Sequence, residues 1–330
     1  MYTAPSLKDS LFVGHIVTDL DSVAGAIGGA ELYEGKASIA SNLNGETRFA
    51  LQKWKAETPP PIEEAIKTAS AGVCLVDHQQ LSQLNPVVPV DKIVGIIDHH
   101  ALQNATIVTD KPIFVDIRPW GSMSTIIAHT FFAQKKWPTK STAGMLLCAI
   151  ISDTLNLNSP TTTDWDRKIL NILMRYCGVK DQAALAKEQF MAKSQDFDQL
   201  SPSQLVAFDL KKFSLEGPLD KFNIGVGVIE TVDSGSIISR KKEIIGAIPE
   251  VKAEKGMDFL LLVVVCIYPK EAMRAECLIG GPLEAALATE AFHKEENEIV
   301  DGVLDLGMLV SRKKDLVPAL TRAIKEGWTP

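Results

Sequence analysis

The chain has 330 residues, which is enough for two domains of ordinary size, each with its own core. Its hydrophobic fraction of 46% and charged fraction of 23% are typical of a soluble globular protein, and no apolar run approaches the roughly 20 residues of a membrane span. The net charge of −7 argues against unspecific binding to nucleic acid or to an anionic membrane.

Cysteine usage and the N-terminal residues predict a cytoplasmic location. The five cysteines form no C-x-x-C pair, and their odd number argues against a disulfide framework. We therefore interpret them as reduced core residues. Residues 1–10 have neither a basic start nor an apolar segment, so a secretory signal is not expected.

Up to about residue 190 the sequence predicts alternating strands and helices. Short apolar runs without alternation are typical of parallel strands covered by helices on both faces, and they occur at 11–13, 73–76, 94–97 and 147–151. Helices are predicted at 23–33, capped by Asp21 and Ser22, at 63–70, at 126–134 and from Thr163 onwards.

The remaining sequence predicts a second, smaller α/β domain. Residues 191–203 are polar and lack a long apolar periodicity, so we interpret them as an interdomain linker. Beyond them, strands are predicted at 222–232 and 259–268, and helices near 235–250, 283–296 and 315–326. The predicted architecture is a parallel-sheet domain at 1–190, a linker at 191–203 and a smaller domain at 204–330.

Histidines and aspartates stand where the predicted strands end. They are His15, Asp19, Asp21, Asp77, His78, Asp98, His99, His100 and Asp153. Because the carboxyl ends of parallel strands lie side by side in an open α/β sheet, we expect these distant residues to converge. Such a cluster of charges would repel itself without cations. The pattern therefore predicts a metal site, and more than one metal ion.

Some of these residues have a structural interpretation as well. Asp19 or Asp21 alone is a common helix cap or turn residue, and Asp77 could belong to an ordinary loop. The segment Asp98-His99-His100 is different, because three adjacent titratable side chains after an apolar run serve no packing purpose. The other two histidines, His129 and His293, fall in predicted helices and are taken as ordinary.

Oxygen and imidazole ligands without thiolate suit manganese, cobalt, magnesium or iron better than a structural zinc site. Two such ions, about 3.5 to 4 Å apart, can bind phosphoryl oxygens and turn water into a nucleophile near neutral pH. A phosphoryl hydrolase is therefore predicted. The basic run 311–314 could bind a polyanion, although its near copy at 239–242 shows that this tetrapeptide alone is a weak signal.

Together these residues resemble the DHH phosphoesterase superfamily and, within it, most closely the family II inorganic pyrophosphatases, which manganese or cobalt activates. The resemblance runs through six blocks: 14–15, 77–78, 98–100, 152–155, 209–211 and 311–314. It implies an N-terminal DHH domain, a C-terminal domain of the DHHA2 type, an active site in the cleft between them, and a homodimer.

The resemblance also implies roles for individual residues. His15 and Asp19 would bind one metal ion, Asp21, His99 and Asp153 the other, and Asp77 would bridge them. His78, Asp98 and His100 are grouped with Asp77 as catalytic residues, and His100 would contact the substrate and supply a proton to the leaving phosphate. The implied substrate-binding cations are Lys211, Arg312 and Lys313. The implied cofactors are Mn²⁺ or Co²⁺ at two sites, with Mg²⁺ able to accompany the substrate.

Departures from the family pattern leave the substrate open. Leu20 stands where the family usually has threonine, and Asn158 stands where it usually has lysine; both changes resemble the exopolyphosphatase and prune-like branch. His15 argues against that branch, which tends to have asparagine there. Pyrophosphate is the expected substrate and a short polyphosphate the alternative. A regulatory or interaction protein without turnover is a third hypothesis, which the intact set of metal-type residues argues against.

Overall fold

The computed structural model describes residues 6–102, 106–195, 197–218 and 220–330. The chain folds as two compact units, which divide in sequence between Gln189 and Phe190. Residues 1–5, within the segment inspected for a signal, and Asp196, within the predicted linker, lie outside the described residues. Among the residues that are described, no helix has both the length and the apolar composition needed to cross a membrane.

The first unit is built on a five-stranded, wholly parallel sheet in the order β2-β1-β3-β4-β5. Its strands are β1 (Leu11–Val13), β2 (Lys36–Ser38), β3 (Val73–Val76), β4 (Ile93–Asp98) and β5 (Phe114–Ile117). The order reverses between β1 and β3, and in open α/β sheets the ligand crevice lies at such a switch point. Every residue of β3 is buried, which explains its unbroken apolar run.

Seven helices accompany this sheet in the described chain. They are α1 (Leu20–Tyr33), α2 (Gly45–Trp54), α3 (Ile62–Ala65), α4 (Met123–Ala133), α5 (Lys140–Asp153), α6 (Asp164–Cys177) and α7 (Gln182–Gln195). α1 packs closely on β1, where a Cβ at Gly29 would lie 2.6 Å from the ring of Phe12. α7 continues past Gln189, the last residue of the first unit.

Two sequence predictions in this unit are wrong. The apolar run at 147–151 is part of α5 and not a strand. Its residues are buried on all sides, so they lack the polar face that reveals a helix in a sequence. The cap of α1 is Asp19, not Asp21 or Ser22: Ser22 N donates to Asp19 Oδ1 at 2.9 Å.

The second unit contains a six-stranded mixed sheet in the order β10-β11-β9-β8-β7-β6. Its strands are β6 (Leu210–Glu216), β7 (Lys221–Thr231), β8 (Phe259–Cys266), β9 (Arg274–Ile279), β10 (Ile299–Val300) and β11 (Val303–Gly307). β7 and β8 are parallel and the other neighbours antiparallel. The strands predicted at 222–232 and 259–268 correspond to β7 and β8, whereas β6, β9, β10 and β11 were not predicted.

The helices of this unit cover the sheet. They are α8 (Pro202–Ala207), α9 (Ser234–Ser239), α10 (Lys241–Glu254), α11 (Pro282–Phe292) and α12 (Val317–Lys325). One core cluster joins Ile248 of α10 to Leu260 and Leu262 of β8. The predicted linker contains the end of α7, a 3₁₀ turn at Phe197–Gln199 and the start of α8, and the side chain of Phe197 is buried in the same cluster.

Candidate metal centre

Three strands of the first unit bring the candidate ligands together at one edge of the sheet. His15 follows β1 by two residues, Asp77 follows β3 directly, and Asp98 is the last residue of β4. Asp77 has a positive φ of 63° and its backbone N–H donates to Ile97 O at 2.9 Å. Aspartate tolerates this left-handed conformation better than most residues do. The backbone therefore leaves the extended conformation of β3 at Asp77.

A first donor set consists of His15, Asp19 and Asp77. His15 Nε2 lies 3.3 Å from Asp19 Oδ2 and 3.2 Å from Asp77 Oδ2. Because Asp19 uses its other oxygen, Oδ1, to cap α1, its orientation is fixed by the helix. The set contains two carboxylate oxygens and one imidazole nitrogen.

A second donor set consists of Asp21, Asp77, His99 and Asp153. His99 Nε2 lies 3.1 Å from Asp77 Oδ1, 3.4 Å from Asp153 Oδ2 and 4.0 Å from Asp21 Oδ2. Asp77 thus presents one oxygen to each donor set. It is the residue that the two sets share.

Backbone and hydroxyl groups hold two members of the second set in place. Asp21 accepts hydrogen bonds from Ser122 Oγ at 2.9 Å, Met123 N at 2.7 Å and Ser124 N at 2.9 Å, all at the N-terminus of α4. The Nδ1 of His99 lies 3.0 Å from Trp120 O. Donation from Nδ1 to this carbonyl leaves Nε2 as the basic nitrogen that faces the carboxylates.

His100 and His78 lie beside the two sets. His100 Nδ1 is 2.8 Å from Asp98 Oδ1, which also accepts the backbone N–H of His99 and of His100. Burial opposes ionisation of Asp98, but the charge and hydrogen bond of His100 outweigh it and lower the Asp98 pKa to about 2. His78 is buried, and the centroid of its ring lies 6.2 Å from the centroid of the His15 ring. Its burial and the nearby His15 charge lower the pKa of His78 to about 4.

The arrangement fits divalent cations. Burial, followed by the charge of Asp77, raises the pKa of Asp21. Burial also opposes ionisation of Asp77, but the adjacent imidazoles of His15 and His99 hold its pKa well below the ordinary value. Asp77 Oδ1 is buried and accepts no hydrogen bond from the part of the chain that is described. A buried carboxylate oxygen in this state, surrounded by imidazole and carboxylate donors, is suited to bind a metal ion.

The second unit contains the predicted substrate cations. Lys211 lies on β6 opposite Val226 of β7, and Val226 O also accepts from Arg312 Nη1 at 3.4 Å. Arg312 Nη2 is 2.9 Å from Asp209 Oδ2. Lys313 follows in a π-helical turn, Arg312–Leu316, that Ser311 caps. Lys211 and Arg312 therefore belong to one neighbourhood of this unit.

The near copy of the basic run has a different environment. Arg240 donates to Phe197 O at 3.2 Å and to Leu200 O at 2.8 Å, where it joins α9 to the start of the second unit. Its guanidinium is therefore used in holding backbone segments together.

The segment after Asp153 has an unusual backbone. Leu155, Asn156 and Leu157 all have positive φ, at 47°, 54° and 66°. The side-chain amide of Asn158 donates to Leu155 O at 3.0 Å and to Asn156 O at 3.1 Å. Asn158 stands where the family usually has lysine. Here its side chain stabilises the turn that follows the candidate ligand Asp153.

Sequence reasoning missed the supporting residues Trp120 and Ser122. A serine before a predicted helix, as in Gly121-Ser122, was a signal for a helix N-terminus, but nothing in the sequence indicated that this N-terminus would bind Asp21. Trp120 acts through its backbone carbonyl, which any residue supplies.

Comparison with known proteins agrees with this architecture. The family model for the DHH family, N-terminal domain, matches residues 10–150, and the model for the DHHA2 domain matches residues 187–323. The manganese-dependent inorganic pyrophosphatase of Methanocaldococcus jannaschii is 33% identical, over 94% of this chain and 98% of its own length. That of Bacillus subtilis is 31% identical, over 97% of this chain and all of its own length. The chain belongs to the manganese-dependent inorganic pyrophosphatase family.

A solved structure extends the likeness to the fold. The crystal structure of a Methanococcus jannaschii protein assigned to the family II inorganic pyrophosphatases has a TM-score of 0.80 and 31% identity, and covers 95% of this chain and 98% of that one. The predicted two-domain α/β fold and the predicted membership of this pyrophosphatase family are thereby confirmed.

Proposed function

We propose that the chain hydrolyses inorganic pyrophosphate to two phosphates with the help of two divalent metal ions, Mn²⁺ or Co²⁺, held at sites that share Asp77. The observation that carries the proposal is the position of Asp77, with one oxygen 3.2 Å from His15 Nε2 and the other 3.1 Å from His99 Nε2. The names of the manganese-dependent relatives support the choice of Mn²⁺ and of pyrophosphate. Mg²⁺ is proposed to accompany the substrate.

In this proposal His15, Asp19 and Asp77 hold one ion, and Asp21, Asp77, His99 and Asp153 hold the other. When bound, the ions supply a water of lowered pKa and neutralise charge on the phosphoryl oxygens. The chain's contribution is to fix the donors: α1 fixes Asp19, and the N-terminus of α4 fixes Asp21.

His100 is proposed to contact the substrate and to provide a proton to the departing phosphate. Asp98 holds its Nδ1 at 2.8 Å, which fixes the ring orientation and places the exchangeable proton on Nε2. The side chain of His100 is 23% exposed, whereas that of Asp98 is fully buried. His78, which is buried and whose Nδ1 lies 3.0 Å from Val76 O, is proposed to support the His15 side of the centre.

Lys211, Arg312 and Lys313 are proposed to bind the phosphate groups. An arginine can bind a phosphate with two parallel hydrogen bonds, and lysine adds a compact positive charge. We further propose a homodimer, as the family resemblance implies, and a cytoplasmic location. The location is supported by the five cysteines, which are all free and of which four are buried.

The test is phosphate release from pyrophosphate, tripolyphosphate and long-chain polyphosphate, measured side by side with Mn²⁺, with Mg²⁺ and with a chelator. We expect hydrolysis of pyrophosphate to be fastest with Mn²⁺ and to stop with the chelator. Faster release from tripolyphosphate than from pyrophosphate would favour the exopolyphosphatase alternative. Tight Mn²⁺ binding without hydrolysis of any of the three would favour a regulatory protein instead.

A further inference from the structure

A buried carboxylate outside the donor sets lies behind the segment that supports them. Asp166, in the first turn of α6, has no exposed surface. Its side chain accepts four hydrogen bonds: Gly121 N at 2.9 Å, Thr125 Oγ1 at 2.6 Å, Thr163 N at 2.7 Å and Thr163 Oγ1 at 2.6 Å. The bond from Thr163 N belongs to the capping box of α6, whose reciprocal bond runs from Asp166 N to Thr163 Oγ1 at 3.4 Å. The bonds from Gly121 N and Thr125 Oγ1 come from a different part of the chain.

Those two bonds hold the two ends of residues 121–125, the segment that supports the metal centre. Gly121 and Thr125 flank Ser122, Met123 and Ser124, whose hydroxyl and backbone groups donate to Asp21. Trp120, which precedes Gly121, provides the carbonyl that lies 3.0 Å from His99 Nδ1. Asp166 therefore holds, at both ends, the short segment that orients two members of the second donor set.

The fit between Asp166 and this segment leaves no spare room. A Cβ on Gly121 would lie 2.6 Å from Asp166 Oδ2 and 2.9 Å from Thr154 Cγ2. Real Cβ contacts are not that short, so a larger residue at 121 would displace the carboxylate or the segment. The absence of a side chain at 121 is thus what allows the carboxylate to reach the backbone N–H.

The hydrogen bonds described for the first donor set run to a different part of the chain. Asp19 is held by the N-terminus of α1, and Asp77 accepts from Ser22 Oγ at 3.1 Å. A disturbance of Asp166 should therefore reach Asp21 and His99 and leave His15 and Asp19 in place. This asymmetry separates a positioning effect from a general loss of stability.

We infer that Asp166 is a positioning residue that sets the affinity of one of the two metal sites, the one formed by Asp21, Asp77, His99 and Asp153. The inference rests on the proposed function, since it takes that site to bind a metal ion. Outer partners of metal ligands commonly contribute about 10-fold to 100-fold in metal affinity. Because Asp166 acts through the segment that holds the ligands, we expect a loss at the lower end, about tenfold.

The experiment compares D166N with T163A, both as full-length protein. In D166N a neutral carbonyl oxygen replaces the carboxylate oxygen that accepts from Gly121 N, and the NH2 group would face Thr125 Oγ1, so the charge-assisted bonds at both ends of the segment are weakened. T163A weakens the α6 cap but keeps the bonds from Asp166 to Gly121 and Thr125. Both variants are expected to unfold at a lower temperature than the wild type. Mn²⁺ binding is measured by equilibrium dialysis and titration calorimetry, and pyrophosphate hydrolysis is measured as a function of Mn²⁺ concentration.

For D166N we expect the affinity for one of two Mn²⁺ ions to fall about tenfold, the other affinity to stay within about twofold, and turnover to recover at high Mn²⁺. T163A should keep both affinities. The inference would be overturned by unchanged Mn²⁺ affinities in D166N or by an equal loss of affinity at both sites. A loss of affinity at one site only in T163A would overturn it as well. If D166N does not fold, G121A tests the same contact and should also lose Mn²⁺ affinity at one site only. A wild type that binds fewer than two Mn²⁺ ions, or fails to hydrolyse pyrophosphate, counts against the proposed function instead.

Discussion

Asp77 is the residue on which both donor sets depend. It lies in the left-handed region with φ of 63°, where alanine is strained and asparagine is tolerated. Asp77→Asn therefore removes the negative charge with little change in the backbone. We expect it to lower pyrophosphate turnover by at least about 100-fold and to reduce Mn²⁺ occupancy, while the folded protein survives.

The matched control for this variant is Asp9→Asn. Asp9 also has a positive φ, of 60°, but it is exposed and belongs to neither donor set. Turnover and bound Mn²⁺, measured on both variants, should change only for Asp77→Asn. Near-normal activity in that variant would contradict the sharing of Asp77 between two metal ions.

The two copies of the basic run allow a second comparison between single residues. Arg312→Ala removes a guanidinium from the proposed phosphate site, and we expect kcat/KM for pyrophosphate to fall by about 30-fold, equivalent to about 2 kcal/mol. Arg240→Ala removes hydrogen bonds to Phe197 O and Leu200 O, so it should leave kcat/KM nearly unchanged and lower stability by about 1 to 2 kcal/mol.

Steady-state kinetics and thermal unfolding on both variants distinguish these effects. Because Arg312 also pairs with Asp209, Asp209→Asn serves as the control for loss of that ion pair. A larger kinetic defect in Arg240→Ala than in Arg312→Ala would show that the copy at 311–314 was chosen wrongly. A defect in Asp209→Asn equal to that of Arg312→Ala would assign the effect to the ion pair and not to phosphate binding.

At the scale of elements, the turn after α5 directly follows the candidate ligand Asp153 and contains Asn158. The amide of Asn158 holds the left-handed turn of Leu155, Asn156 and Leu157, so Asn158→Lys adds a charge and also removes two hydrogen bonds. Added positive charge favours the substrate with the greater charge density. We expect Asn158→Lys to raise the ratio of kcat/KM for pyrophosphate to that for tripolyphosphate.

Asn158→Ala is the control, because it removes the same hydrogen bonds without adding charge. The ratio should rise in the lysine variant and stay near the wild-type value in the alanine variant. An equal rise in both variants would assign the effect to the geometry of the turn. An unchanged ratio in both would remove Asn158 from substrate choice.

The strands that bear the site were predictable because each combines an apolar run with a titratable residue at its end. β3 and β4 are apolar runs that end directly at titratable residues, and the convergence of parallel strands then predicts that Asp77 and Asp98 are neighbours. The run 147–151, which belongs to α5, was predicted as a strand because its residues are buried all round the helix. Length and periodicity cannot separate these cases in a short apolar run.

The support of the site was much less predictable than its candidate ligands. Ligands are titratable side chains in an apolar context, which a sequence reveals. Their support comes from backbone atoms, such as Trp120 O and Met123 N, which carry no residue signature. Asp166 was hidden for a related reason, since its place in a capping box is a sufficient local explanation for an aspartate.

At the scale of the whole molecule, the candidate metal ligands all belong to one unit. His15 through Asp153 lie within the first unit, which ends at Gln189, whereas Lys211, Arg312 and Lys313 lie in the second. Mn²⁺ without substrate should therefore stabilise the first unit by mass action. At a free concentration of 100 times the dissociation constant, each bound ion contributes about 2.7 kcal/mol, or about 100-fold in the population of open states.

Hydrogen exchange measured by mass spectrometry can locate this stabilisation. With Mn²⁺ and without pyrophosphate, amides of β3 and β4 that exchange through unfolding of the first unit should exchange about 100-fold more slowly for each bound ion. Amides of β8, at the centre of the second sheet, should be unaffected. In Asp77→Asn, Mn²⁺ should no longer slow exchange in the first unit more than in the second. Equal protection of β8 by Mn²⁺ alone would show that the second unit also responds to the metal, and the assignment of all ligands to the first unit would then be wrong.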